Sequence, residues 1–202
     1  MQLLLVRHAL PLRSDPGQGS DPSLSDDGRA QAARLPAALA RFPITRLVSS
    51  PQVRAIETGQ PVADALGLTI NVDDRLAEYD RDLAHYIPIE QIARDNPGEL
   101  QRLIDGHLPS GVDEDAFRDR VTAGVADIVA TAGHDDTVAL FSHGGVINVL
   151  LHTILGTERL LNFHVDYTSV SRVLASRSGR LAVASVNGTE HVWDLLPKNR
   201  NW

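Results

Sequence analysis

The chain has 202 residues, a formal net charge of −7 and no cysteine, and its 19 basic residues are 18 arginines and one lysine, Lys198. The lack of cysteine rules out a disulfide framework, a thiolate nucleophile, Cys-ligated zinc and an iron–sulfur cluster. A lone lysine at position 198 rules out a P-loop and argues against a Schiff-base mechanism, and the acidic balance argues against a nucleic-acid partner.

Residues 2–7, QLLLVR, form a short continuous apolar run that predicts a buried strand. The run is too short for a signal core or a membrane span, so the expectation is a cytoplasmic protein that does not engage a membrane. A polar loop with Pro11, Pro16, Gly17, Gly19 and Pro22 follows. Ser25 reads as the N-cap of a helix over 26–40, with Asp26 and Asp27 in its positive first turn. ITRLVSS, 44–50, is a second strand, and Ser50 and Pro51 read as the cap and first residue of a helix running to Gly67, with Pro61 as a point for a kink. TINV, 69–72, is a third strand. Prolines 88, 97 and 109 punctuate residues 73–112, where 87–95 and 98–105 read as short helices. Phe117, Val121, Val125, Ile128 and Val129 lie on one stripe of a helix over 114–131. DTVALFSH, 136–143, is a further buried strand that leads into a helix ending at Gly156. Residues 168–186 read as a closing hairpin about Ser178-Gly179.

Alternating strands and helices predict an α/β fold, a three-layer α/β/α sandwich with a mainly parallel central sheet. One domain over 1–202 is expected, since a chain of this length buries roughly 70% of its unfolded surface. In such sheets ligands bind beyond the C-terminal strand ends. There the sequence places Arg7-His8, Ser49-Ser50 with Arg54 one turn on, and Ser142-His143-Gly144-Gly145. Singly, each reads as an ordinary strand-end side chain. Together, two histidines, two arginines and glycines at a helix N-terminus make an anion site suited to a phosphoryl group.

LLLVRHAL, LSDDGRAQA, VSSPQVRAIETG and FSHGGVINVLL resemble, in order and spacing, the motifs of the histidine phosphatase superfamily, the phosphoglycerate-mutase-like group (branch 1). The resemblance spans residues 3 to about 156 and is weakest over 79–135 and in the tail. It implies a phosphatase in which His8 attacks phosphorus and forms a phosphohistidine, with Arg7, Arg54 and His143 holding the non-bridging oxygens. His8 must then be neutral, and adjacent Arg7 and Arg54 should lower its pKa below the free value of about 6.5. Its other ring nitrogen is expected to donate to a backbone carbonyl. By position after the third strand Glu78 matches the family's acid, with Asp80 and Asp82 as neighbours that could share the role. Gly144 stands directly after the second histidine, where a different branch carries an acidic residue, and Gly144 and Gly145 permit close backbone approach.

The chain also departs from the family pattern. Ala9 replaces a usual glycine, Pro11 a common Thr or Ser, and Ser14 a common phosphate-contacting Asn. After Glu78 a frequent glycine-containing run is replaced by YDRDLAHY, so 79–112 is expected to form a flap at the substrate mouth, with Tyr79, Arg81, His85 and Tyr86 as candidate specificity residues. The leading expectation is a metal-independent phosphomonoester hydrolase without a cofactor, acting on a small phosphorylated metabolite. The alternatives are a phosphoglycerate-type mutase, disfavoured by the absence of lysine around residues 80–105, and a non-catalytic phospholigand-binding module. A metal-dependent hydrolase has less support, because His107, His134, His152, His164 and His191 show no metal-ligand spacing. The hairpin or an edge strand could support a homodimer.

Overall fold

The structure is a computed structural model and describes residues 1–13, 21–81, 92 and 96–197. Six strands form one sheet in the order β3-β2-β4-β1-β5-β6. They are β1 (Gln2–Arg7), β2 (Ile44–Ser49), β3 (Ile70–Val72), β4 (Thr137–Ser142), β5 (Val170–Ala175) and β6 (Leu181–Gly188). The pairs β3–β2, β2–β4 and β4–β1 are parallel, whereas β5 and β6 add as the expected antiparallel hairpin. The continuous apolar runs LLLV and VALF fill the central strands β1 and β4, as burial on both faces requires.

Among the described residues the α-helices that accompany the sheet are α1 (Asp26–Ala32), α2 (Leu35–Leu39), α3 (Val53–Leu66), α4 (Pro97–Ile104), α5 (Glu114–Thr131) and α6 (Gly144–Leu155). Leu3 and Leu5 face one way, into a core with Phe117, Val121, Val125 and Ile128 of α5 and the apolar face of α6. Leu4 and Val6 face the other way, onto Leu35 and Leu39 of α2 and Val62 of α3. That alternation, set by the period-two pleat, generates the three layers. Among the described residues no helix is long and apolar enough to cross a membrane.

Two local expectations need correction. The helix read over 26–40 is two pieces, because Pro36 lacks the N–H that would continue α1 and sits instead in the first turn of α2. Next, α3 begins at Val53 rather than Pro51: its first free N–H is taken by both carboxylate oxygens of Asp21, each at 2.9 Å, and Ser50 is used elsewhere. As expected, α3 ends at Gly67, whose φ of 64° is the left-handed closure read there, and Pro61 lies within the helix. Of the expected helix over 87–95, only Ile92 lies within the described residues. The described end of the proposed flap, from residue 96, is anchored by Leu108, fully buried in the α5–α6 core.

Strand register aligns the chemistry. Arg7 pairs with Ser142, and Ser49 with Phe141, so the three parallel strands end level. The residues that follow them therefore share one edge.

Candidate active site

His8 leaves β1 with its N–H on the carbonyl of Ser142, at 2.8 Å, and its ring buried. Its Nδ1 lies 2.8 Å from the Ala9 carbonyl oxygen. A carbonyl can only accept, so Nδ1 carries the proton and Nε2 carries the lone pair. Burial, then Arg54, then Arg7 push the imidazole pKa well below its usual value. Desolvation leads that order, whereas the sequence reading rested on the two arginines. The loop after His8 is held by Thr58, whose hydroxyl accepts the Ala9 N–H at 2.9 Å and donates to the carbonyl of Arg54.

His143 is fully buried, and its ring centroid lies 5.2 Å from that of His8. Its Nε2 is 2.7 Å from the hydroxyl of Ser50, which also accepts the N–H of Gln52. A hydroxyl has one proton and two lone pairs, so Ser50 can meet Nε2 as donor or as acceptor, and the contact is compatible with either His143 tautomer. The other ring nitrogen, Nδ1, is buried without a hydrogen-bond partner among the described residues. Burial, with Arg54 next, lowers this imidazole's pKa as well.

Arg54 is fully buried at the start of α3. Its Nη2 meets both oxygens of Asp80 at 2.8 Å, and its Nη1 lies 3.6 Å from Asp21. Arg7 spans from β1 to the loop before β5, donating to the carbonyl of Val165, while its guanidinium stacks 4.1 Å above the ring of Tyr167. The Arg7 Nε is buried and has no acceptor among the described residues.

Glu78 is buried behind this pair. Its Oε2 accepts the N–H of Gly145 at 2.8 Å and its Oε1 that of Tyr79 at 3.2 Å. Burial first, and the adjacent Asp80 second, raise its pKa to about 7 against the lowering effect of those N–H donors and of Arg54. It therefore exchanges a proton near neutrality. Asp80 is already committed: Gln52 donates to it at 2.9 Å in addition to Arg54. Asp82 lies outside the described residues.

The structure thus brings Arg7, His8, Arg54, Glu78, His143 and the Gly144-Gly145 turn together at one sheet edge. Gly144 lies beside Arg7, whose Nε would stand 3.8 Å from a Cβ added at position 144. Of the other candidates, Tyr79 packs its ring edge-on to Phe117 at 6.1 Å while its phenol feels the charges of Glu78, Asp80, Arg7 and Arg54, and Arg81 donates to the carbonyl of Asp74 at 3.3 Å. Ser14, His85 and Tyr86 lie outside the described residues. No group of three or more His, Asp or Glu side chains among the described residues converges as a metal site would require.

Four residues escaped the sequence reading. Gln52 and Thr58 fell inside a helix pattern, where Gln and Thr carry no signal of their own. Asn148 of α6 accepts the N–H groups of Asn162 and Phe163 and donates to the carbonyls of Gly144 and Phe163, so it fixes the loop that presents Val165 to Arg7. Tyr167 sits 5.7 Å from His8, just before the hairpin read over 168–186, in a stretch to which no element was assigned.

Fold and site together define an α/β protein with a histidine-and-arginine centre at the C-terminal edge of its sheet. The chain belongs to the histidine phosphatase superfamily, branch 1, whose family model matches residues 3–188. The phosphatase class expected from the motifs stands with that membership. Among relatives, a Salmonella choleraesuis protein named "Probable phosphoglycerate mutase GpmB" is 30% identical over 194 residues, 90% of this chain and 88% of the relative. Among solved structures, mycobacterial glucosyl-3-phosphoglycerate phosphatase superposes with a TM-score of 0.75 at 25% identity, covering 93% of this chain and 98% of the other. The alpha-ribazole phosphatase of Shigella flexneri shares the fold, with a TM-score of 0.71, 21% identity and coverage of 93% and 96%.

Proposed function

We propose that the protein is a metal-independent phosphomonoester hydrolase that acts on a small phosphorylated metabolite through a phosphohistidine at His8. The observation that carries this reading is the His8 tautomer. With Nδ1–H held by the Ala9 carbonyl and the pKa depressed, Nε2 is an unprotonated nucleophile at neutral pH. Nε2 forms a bond to phosphorus as the bond from phosphorus to the leaving oxygen breaks. Arg7, Arg54 and His143 stabilise charge on the three equatorial oxygens. Protonated Glu78 gives its proton to the leaving alkoxide. The resulting carboxylate then takes a proton from the water that attacks the phosphohistidine, which restores both groups.

Positive charge at the phosphoryl group comes from side chains in this scheme, so EDTA leaves the rate unchanged. Two comparisons pull toward different outcomes for the phosphoryl group: the solved structures are named as phosphatases, and the 30% identical relative as a mutase. A mutase must retain the phosphohistidine and return it to a second hydroxyl. We favour hydrolysis because the segment in which mutases carry a lysine has none here.

The test is a panel of phosphomonoesters assayed with EDTA present, with the intermediate trapped by acid-free quenching. Turnover that His8→Ala abolishes, and a base-stable, acid-labile phosphoprotein, are the expected results. Full activity in His8→Ala ends the proposal. Interconversion of phosphoglycerates that outpaces phosphate release establishes the mutase, and phosphate binding with no turnover at all establishes a binding module.

A further inference from the structure

Gln52 is 4% exposed, and every polar group of its side chain and its backbone N–H is engaged at the site. The N–H donates to Ser50, the hydroxyl that meets His143. Its Oε1 accepts the N–H of Glu78 at 2.8 Å, and its Nε2 donates to Asp80 at 2.9 Å. One amide therefore ties the start of α3 to the segment bearing the acid, at that acid's own peptide. Asp80 is 6% exposed and spends both oxygens on Arg54. A buried carboxylate is retained only when paired, and its charge is felt strongly by neighbours at low dielectric. Among the described residues, the groups facing Glu78 include Asp80 and the Tyr79 N–H and phenol on its own segment, Arg54 from α3 and the Gly145 N–H at the head of α6. From α5, Arg120 donates to the carbonyl of Ala77, one residue before the acid. Of these, Asp80 is the one fixed negative charge.

Building on the phosphatase reading, we propose that Gln52 and Asp80 are a positioning pair. Gln52 holds the acid's peptide and Asp80 in register, and Asp80 offsets the charge of Arg54 while keeping Glu78 in its proton-donating form. Neither residue touches the reacting atoms.

The pair makes opposing demands on one arginine. Asp80 competes with phosphate for Arg54 and at the same time supports the acid, so its removal should strengthen anion binding and weaken leaving-group protonation. A residue needed only for folding would weaken both.

The experiment uses the full chain in three forms: native, Asp80→Asn and Gln52→Met. For Asp80→Asn the alkaline limb of kcat/KM for an alkyl phosphate moves about one pH unit lower, and inorganic phosphate, titrated by calorimetry, binds several-fold tighter. For Gln52→Met the limb stays in place, turnover of alkyl phosphates falls about tenfold, and turnover of an aryl phosphate changes less than threefold. Titration of the Glu78 carboxyl by 13C NMR reads the electrostatic half of the proposal without any turnover. An unchanged Glu78 midpoint in Asp80→Asn, or weaker phosphate binding there, overturns the proposal. So does equal loss on alkyl and aryl substrates in Gln52→Met. A shifted midpoint in a protein without phosphatase activity instead overturns only the phosphatase reading.

Discussion

Gly145 donates its N–H to Glu78, and a Cβ added at Gly145 would stand 2.4 Å from Oε1 of the same carboxylate. The second glycine of the SHGG motif is thus the space in which the acid sits. Its φ is not left-handed, so the requirement comes from packing against Glu78 and not from backbone strain.

For Gly145→Ala the atom that must move is the far end of a flexible side chain, and alanine suits a helix better than glycine by up to about 1 kcal/mol. Thermal stability is therefore expected to stay the same or rise slightly. Activity is not spared, because displacing an acid by about 1 Å can cost on the order of 10²-fold. Alkyl phosphates should lose about 10–100-fold in kcat/KM, and aryl phosphates, which need little protonation, under fivefold. Steady-state kinetics on a leaving-group series checks this.

The pH profile follows from two groups. His8, lowered by burial and the arginines, must be unprotonated and sets the acidic limb well below 6.5. Glu78, raised to about 7, must be protonated in the first step and sets the alkaline limb. The log of kcat/KM for alkyl phosphates is expected to fall with unit slope above about 7, and in Glu78→Gln that limb should vanish along with most of the alkyl activity. A flat profile from pH 6 to about 9 would assign the proton to another group.

The same carboxyl leaves a mark on stability. Its folded pKa of about 7 lies above the ordinary 4.5, so the folded state binds the extra proton between those values. Stability is full below about 4.5 and falls as pH rises to about 7, by on the order of 3 kcal/mol. Glu78→Gln should therefore stabilise the protein more at pH 8 than at pH 5. Denaturant unfolding at the two pH values measures the difference.

Tyr167 connects the site to the chain's last described segment. Its ring packs on Val192 and Leu196 on one side and lies under Arg7 on the other. Tyr167→Ala is expected to cost roughly 2–4 kcal/mol of stability, through cavity and contact loss. Tyr167→Leu fills much of the space but removes the π face, and should weaken phosphate binding several-fold by freeing Arg7, whereas Tyr167→Phe should not. Phosphate titration of the two folded variants separates these outcomes.

Much of the architecture was legible in the sequence because it depends on local periodicity. LLLV and VALF announce buried parallel strands, the stripe on α5 announces one covered face, and Gly67 and Gly156 announce helix ends. The polar residues directly after those strands, Arg7-His8 and Ser142-His143, could be placed at one edge by topology alone. What sequence determined, then, is the sheet, its layers and the residue types at its functional edge.

The tertiary structure decided how those residues are tuned. The proton on His8 Nδ1, the burial that outweighs the arginines in lowering its pKa, and the start of α3 at Val53 under Asp21 all depend on contacts between distant segments. So do the clamp of Asp80 on Arg54, the Gln52 amide bridging to Glu78, and Tyr167 beneath Arg7. These contacts have no periodicity to read. Hydrogen bonds and charge effects act over a few ångströms in space, and residues 26 or 160 positions apart become neighbours only once the sheet has formed.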